Sequence, residues 1–192
     1  MNSLLQIFFN TELFKRNIML VDPLNKLEYN NPLYQLQILL GYLTCSQRNY
    51  IKPNNLKAQL PLPFNTSFCQ QDVSEFLRFY VDELERNLNT VNQKDLIKDI
   101  FVGKMKSTIQ CQNNHFSTQE TEYYDLMLTP IISDSVQQTN NPEKTENNIS
   151  NLLKNLTMVE DIDDFYCNIC DNKVLAKKKE EIFSAPNHLI IT

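Results

Sequence analysis

The chain has 192 residues, 42% of them hydrophobic and 21% charged, with a formal net charge of -5; this suffices for one ordinary domain or a body with a smaller projecting lobe. Two glycines in the whole chain exclude a glycine-rich phosphate loop. The acidic balance argues against nucleic acid as the main partner, since neutralising phosphates takes a basic face, and suits a basic protein segment better.

No apolar run approaches the ~20 residues of a membrane-spanning helix. The opening MNSLLQIFFN lacks a positive n-region, is interrupted by Gln6 and precedes no small-residue cleavage site, so it does not read as an export signal. Five cysteines, an odd number without such a signal, point to reduced thiols in the cytosol or nucleus.

Apolar spacing predicts a first helix over residues 3–14, with Leu4, Leu5, Phe8 and Leu13 inward. Buried helical character this close to Met1 suggests that the chain is cut there. Residues 17–31 read as a loop-rich join. Pro32 suits the first position of a second helix, because its missing N–H costs nothing there. That helix runs to about Cys45 with Leu33, Leu36, Leu39, Leu40 and Leu43 inward, and Cys45 reads as a small core residue. A short helix over 54–59 is ended by Pro61 and Pro63.

The stretch 69–88 is the strongest helix. Val73, Phe76, Leu77, Tyr80, Val81, Leu84 and Leu88 share one stripe about 100° wide. Its first turn carries Gln70, Gln71, Asp72 and Glu75, which either suit the free N–H groups of a helix start or face a cationic ligand. A polar run over 87–94 and a helical turn over 95–100 follow. From 101 the pattern alternates, predicting a strand to 111, a turn over 112–117 and a second strand over 121–128. Residues 133–148 read as a polar surface insertion or disordered loop. Ile149, Leu152, Leu153 and Leu156 mark an amphipathic helix. A basic strand-like stretch over 173–183 and a strand over 188–191 complete the chain, the last ending in mid-element.

Cys111 sits at the tip of the first hairpin, and Cys167 and Cys170 form a C-x-x-C knuckle. Two such knuckles side by side make a zinc ribbon, which takes four ligands on a tetrahedron. A regular first knuckle would place its second ligand at 114, but that residue is Asn114. His115 stands one position further on. Two readings stay open: a Cys3His set of Cys111, His115, Cys167 and Cys170 holding one structural zinc, or a ribbon without its metal. The two histidines, His115 and His188, pair with no obvious nucleophilic cysteine. Cys69 precedes a helix, where the dipole lowers a thiol pKa, but a buried or capping role suits it better.

The residues resemble the interior of a ubiquitin-specific protease catalytic domain, the papain-like thiol hydrolases that remove ubiquitin from proteins. MNSLLQ resembles the second half of the nucleophile box G-N-T-C-Y-M-N-S-L-L-Q. Gln70-Gln-Asp-Val-Ser-Glu-Phe76 is similar to Q-Q-D-A-x-E-F. Phe101-Val-Gly103, Ile109-Gln-Cys111, and Glu122 followed by Asp125-Leu126 match the first finger hairpin. Tyr166-Cys-Asn-Ile-Cys170, Ala176-Lys177 and the stretch from Pro186 to Ile191 match the second knuckle and the strand leading into L-K-R-F. The matches keep family order over nearly the whole chain.

The resemblance implies an α+β, papain-like hand: a helical thumb over residues 1–100, β-ribbon fingers over 101–185, and the start of a palm sheet over 186–192, with most of the palm missing. It implies a deubiquitinase whose partners are ubiquitin and ubiquitinated proteins, with Gln70, Asp72 and Glu75 facing ubiquitin's basic tail. The family's nucleophilic cysteine would stand two residues before Met1, and its histidine box beyond residue 192, so no catalytic residue is assigned and the chain is expected to be inactive. Asn114 departs from the family's knuckle. The alternative is a non-catalytic ubiquitin-binding or scaffold fragment.

Overall fold

The structure is a computed structural model and describes residues 1–22, 30–48, 50–66, 70–93, 95–130 and 147–192. It is α+β, and its residues form two compact units, Met1–Phe101 and Val102–Thr192. Among the described residues no helix is long and apolar enough to cross a membrane.

The first unit is helical. The expected opening helix is two: α1 (Asn2–Asn10) and α2 (Glu12–Leu20). Thr11 breaks them apart, with φ -82° and ψ 93°, its N–H bonded to the Ile7 carbonyl and its own carbonyl accepting from Lys15. The break resets the helical phase, so Phe14 and Ile18 turn inward and Leu13 is exposed. It also carries helix into what read as a join.

α3 (Pro32–Cys45) has the expected bounds. Asn31 caps it, accepting from the N–H groups of Leu33 and Tyr34, and Pro32 fills the first turn. Leu33, Leu36 and Leu40 are fully buried. Two buried glutamines were not anticipated; one, Gln37, donates to the carbonyls of Ile18 and Val21 at 2.8 and 2.7 Å, satisfying groups that the end of α2 leaves open. Cys45 is exposed, correcting its expected place in the core, because the last inward position of α3 is Leu40. α4 (Asn54–Ala58) is short, as its prolines dictate.

α5 (Val73–Thr90) packs Phe76, Leu77, Tyr80, Val81, Leu84 and Leu88 inward. The stripe stops one residue short of expectation: Val73 is exposed and Ser74 is buried instead. Tyr80 stacks on Phe76 at 5.5 Å and donates its hydroxyl to the Pro32 carbonyl at 3.3 Å. Burial and the nearby Glu83 carboxylate raise its pKa far above the ordinary tyrosine value. Asn87 accepts from Asn31, tying α5 to the cap of α3. A last turn, α6 (Lys98–Phe101), adds Ile100 and Phe101 to the core.

The second unit is a four-stranded sheet of order β2-β1-β5-β4, every pair antiparallel: β1 (Gly103–Cys111), β2 (Phe116–Tyr123), β4 (Glu160–Cys167) and β5 (Asn172–Ser184). The expected strand over 121–128 divides at Tyr124. β2 ends there, and β3 (Asp125–Leu126) pairs in parallel with β6 (Ile190–Ile191), where Thr192 donates to the buried Asp125 carboxylate at 2.8 Å. α7 (Ile149–Leu156), capped by Asn148, precedes β4. Residues 131–146, most of the expected polar insertion, lie outside the described residues.

Strand register in this sheet follows charge more than apolar burial. Lys104 faces Glu122, Lys106 faces Glu120 on one side and Glu181 on the other, and Glu160 and Asp161 face Lys178 and Lys177. Opposite charges directly across strands contribute about 0.2–1 kcal/mol each, and a slip of one residue would scramble them.

At the base of the hairpin Tyr123 lies across from Gly103, and a Cβ there would meet the far end of the half-buried tyrosine ring.

Candidate functional site

Two tight turns at one end of the sheet bring four ligand-bearing side chains together. The first joins β1 to β2: the Cys111 N–H bonds to the His115 carbonyl at 3.0 Å, and Asn114 occupies the left-handed region at φ 62°. The second joins β4 to β5, with Asp171 left-handed at φ 50°. Asn and Asp enter that region more readily than other side-chain-bearing residues. The turns differ in where the ligand falls. Cys170 precedes its left-handed residue, whereas His115 follows Asn114. The longer imidazole side chain makes up the difference, because Nδ1 stands one bond further from Cα than a cysteine Sγ. Asn114 bonds instead to Gln110, its Oδ1 accepting at 2.9 Å.

The donor atoms of Cys111, His115, Cys167 and Cys170 all lie within 4.8 Å of one another. Nδ1 of His115 is 3.2 Å from Cys170 Sγ and 3.6 Å from Cys167 Sγ, and Cys111 Sγ is 4.0 Å from Cys170 Sγ. Ligands at about 2.3 Å for sulfur and about 2.0 Å for nitrogen around a tetrahedral ion stand about 3.5–3.8 Å apart. The residues therefore fit a metal ion: the cluster could hold one at its centre. Cys111 and Cys167 are buried, with Val174, Phe165 and Cys170 packed around them, which screens the site from water on one side.

The thiols are not equivalent. Backbone N–H groups of Cys170 and Ile169, with the His115 ring, draw the Cys167 thiol down to about 6 against the opposing effect of burial. For Cys170 the Asn113 amide pulls downward, but burial and the sulfurs of Cys167 and Cys111 outweigh it, and its thiol is raised. Cys167 is thus the more acidic thiol of the two. Asn113, which donates to Cys170 Sγ at 3.2 Å, was missed in the sequence; nothing in its spacing distinguishes it from the other turn residues.

The first turn of α5 holds the other candidates. Asp72 is the N-cap, its Oδ1 accepting from the N–H groups of Ser74 and Glu75 at 2.7 and 3.0 Å. The helix-start reading is therefore correct for Asp72, but it uses one oxygen only. Among the described residues Oδ2 receives no hydrogen bond, and Gln70, Asp72 and Glu75 are all exposed. Cys69 lies outside the described residues.

A family model described as ubiquitin carboxyl-terminal hydrolase matches residues 1–192. The chain belongs to that family. Ubiquitin carboxyl-terminal hydrolase 15 of Schizosaccharomyces pombe is 30% identical over 140 residues, covering 72% of this chain and 12% of that protein. Ubiquitin carboxyl-terminal hydrolase 15 of Saccharomyces cerevisiae is 32% identical over 131 residues, covering 67% of this chain and 10% of the relative. Ubiquitin carboxyl-terminal hydrolase 7 of Caenorhabditis elegans is 29% identical over 139 residues, covering 72% and 12%. The chain of this hydrolase family member thus spans 10–12% of the length of these relatives.

Proposed function

We propose that the protein is a cysteine-type ubiquitin carboxyl-terminal hydrolase, acting on ubiquitinated proteins in the cytosol, the nucleus or both, and that residues 1–192 supply recognition and no catalytic group. In this reading the helical unit is the thumb, the sheet unit forms the fingers under ubiquitin's globular body, and residues 186–192 open the palm. Cys111, His115, Cys167 and Cys170 hold one structural zinc. Three sulfurs converging on a single imidazole nitrogen suit ligation; activating a nucleophile calls for one thiol and a base free to take its proton.

The observation that carries the reading is the first turn of α5. Asp72 completes the helix with one oxygen and keeps the other at the surface beside Gln70 and the Glu75 carboxylate. That pattern suits the arginine-bearing tail of ubiquitin, each charge-assisted bond being worth about 1.5–3 kcal/mol.

Titrating isotope-labelled ubiquitin with the chain tests this. Asp72→Asn keeps a capping oxygen but removes the charge. It is expected to weaken binding about tenfold with helix stability unchanged, whereas Asp72→Ala also loses about 1 kcal/mol of stability. Equal affinity for the wild type and Asp72→Asn would end the tail-facing role. A ubiquitin conjugate incubated with the purified chain is expected to stay intact; released ubiquitin would show that a catalytic group lies within these residues.

A further inference from the structure

We infer that Asn113 is a positioning residue for the metal centre, its side-chain amide reaching from the first turn to hold Cys170 of the second turn as a ligand. The inference rests on the zinc reading above and adds a residue that the four-ligand set does not contain.

The geometry is specific. Asn113 Nδ2 lies 3.2 Å from Cys170 Sγ, although the two residues are 57 apart in sequence. Apart from the ring of His115, itself one of the four ligands, the donors to sulfur act within a single turn. The His115 N–H reaches Cys111 Sγ at 3.4 Å, and the N–H groups of Ile169 and Cys170 serve Cys167. Among the described residues outside the ligand set, Asn113 is thus the donor that crosses from one turn to the other.

Its chemistry follows from the charge of the ligand set. Three thiolates and a neutral imidazole around a divalent ion leave about one net negative charge on the sulfurs. An N–H aimed at a sulfur disperses that charge and fixes the direction in which its lone pairs point. Partners of this second kind are worth about 10–100-fold in metal affinity where they have been removed from other sites. Asn113 itself is exposed, so its contribution cannot come from filling a core. A carboxylate in its place would offer no N–H and would set a second negative charge against the sulfur.

The test uses the full chain loaded with cobalt(II), read by its thiolate-to-metal charge-transfer band, and with zinc, read by competition against a chromophoric chelator. Asn113→Ala is expected to bind zinc about tenfold more weakly and to shift the cobalt band. Asn113→Asp, nearly identical in shape, is expected to lose more. Gln112→Ala, an exposed neighbour in the same turn, should match the wild type in both measurements. Wild-type affinity and an unshifted band in both Asn113 variants would overturn the inference while leaving the metal centre intact. A wild-type chain that binds neither metal would overturn the zinc reading, and this inference with it.

Discussion

Stripping the metal from the zinc-loaded chain with a chelator is expected to unfold the sheet over residues 102–192 while residues 1–101 stay helical. The reason lies in what the sheet buries. Among the described residues of 102–192 the buried apolar side chains are Cys111, Leu126, Leu128, Cys167, Val174, Ala176 and Ile190, of which Leu126 and Ile190 belong to the small β3–β6 pair. At about 1.5–3 kcal/mol for each large side chain, this is a small apolar core for a unit of its length. The charged rungs between strands add only tenths of a kcal/mol each and are screened by salt. A structural zinc supplies about 10–16 kcal/mol in small peptides at neutral pH, as much as the whole of this apolar burial. Segment-resolved amide hydrogen exchange checks this: protection in β1 and β5 should vanish on chelation, and Cys167→Ser should reproduce the loss. Protection that survives chelation would mean that the sheet stands without metal.

Phe8→Ala is expected to give the largest single-residue loss in the helical unit, about 3–5 kcal/mol. Phe8 is fully buried, stacks on Phe14 at 4.4 Å, and lies 5.8 Å from Phe101 and 6.2 Å from Tyr80. It therefore joins α1 to α2, α5 and α6 at one point, and truncation leaves a cavity that four elements would have to collapse into. Since a domain's whole stability is about 5–15 kcal/mol, such a loss brings this unit close to unfolding. Urea denaturation followed by helical circular dichroism measures it. Tyr80→Phe serves as the contrast, losing only the hydrogen bond to Pro32, about 1 kcal/mol. A Phe8→Ala loss as small as that of Tyr80→Phe would mean that the aromatic cluster is not the keystone of this core.

Where one local signal decides a boundary, the sequence was legible. The proline at position 32 marked the first residue of α3, and the stripe of α5 identified six of its buried side chains. Thr11 was unreadable because the apolar residues around it continue the pattern on both sides, so only the backbone shows the change of phase. β4 was missed because Glu160, Asp161, Asp163 and Asp164 make a poor strand in isolation; it forms against the lysines of β5, a partner distant enough in the chain to escape any window of local reading. At the candidate metal centre the residue types were visible, but the spacing of His115 looked wrong by one. A left-handed Asn114 and a longer side chain remove that objection, and neither can be read from spacing alone.

β4 is also one of the two outer edges of the sheet, and its composition bears on how copies of the protein meet in solution. An exposed edge strand is open to pairing with the same strand of another molecule. Here such a meeting would bring four carboxylates against four, across a strand whose register with β5 is already interrupted between Ile162 and Phe165. Repulsion and the local irregularity together close this edge to self-association. The acidity that made β4 hard to recognise as a strand thus guards it against aggregation.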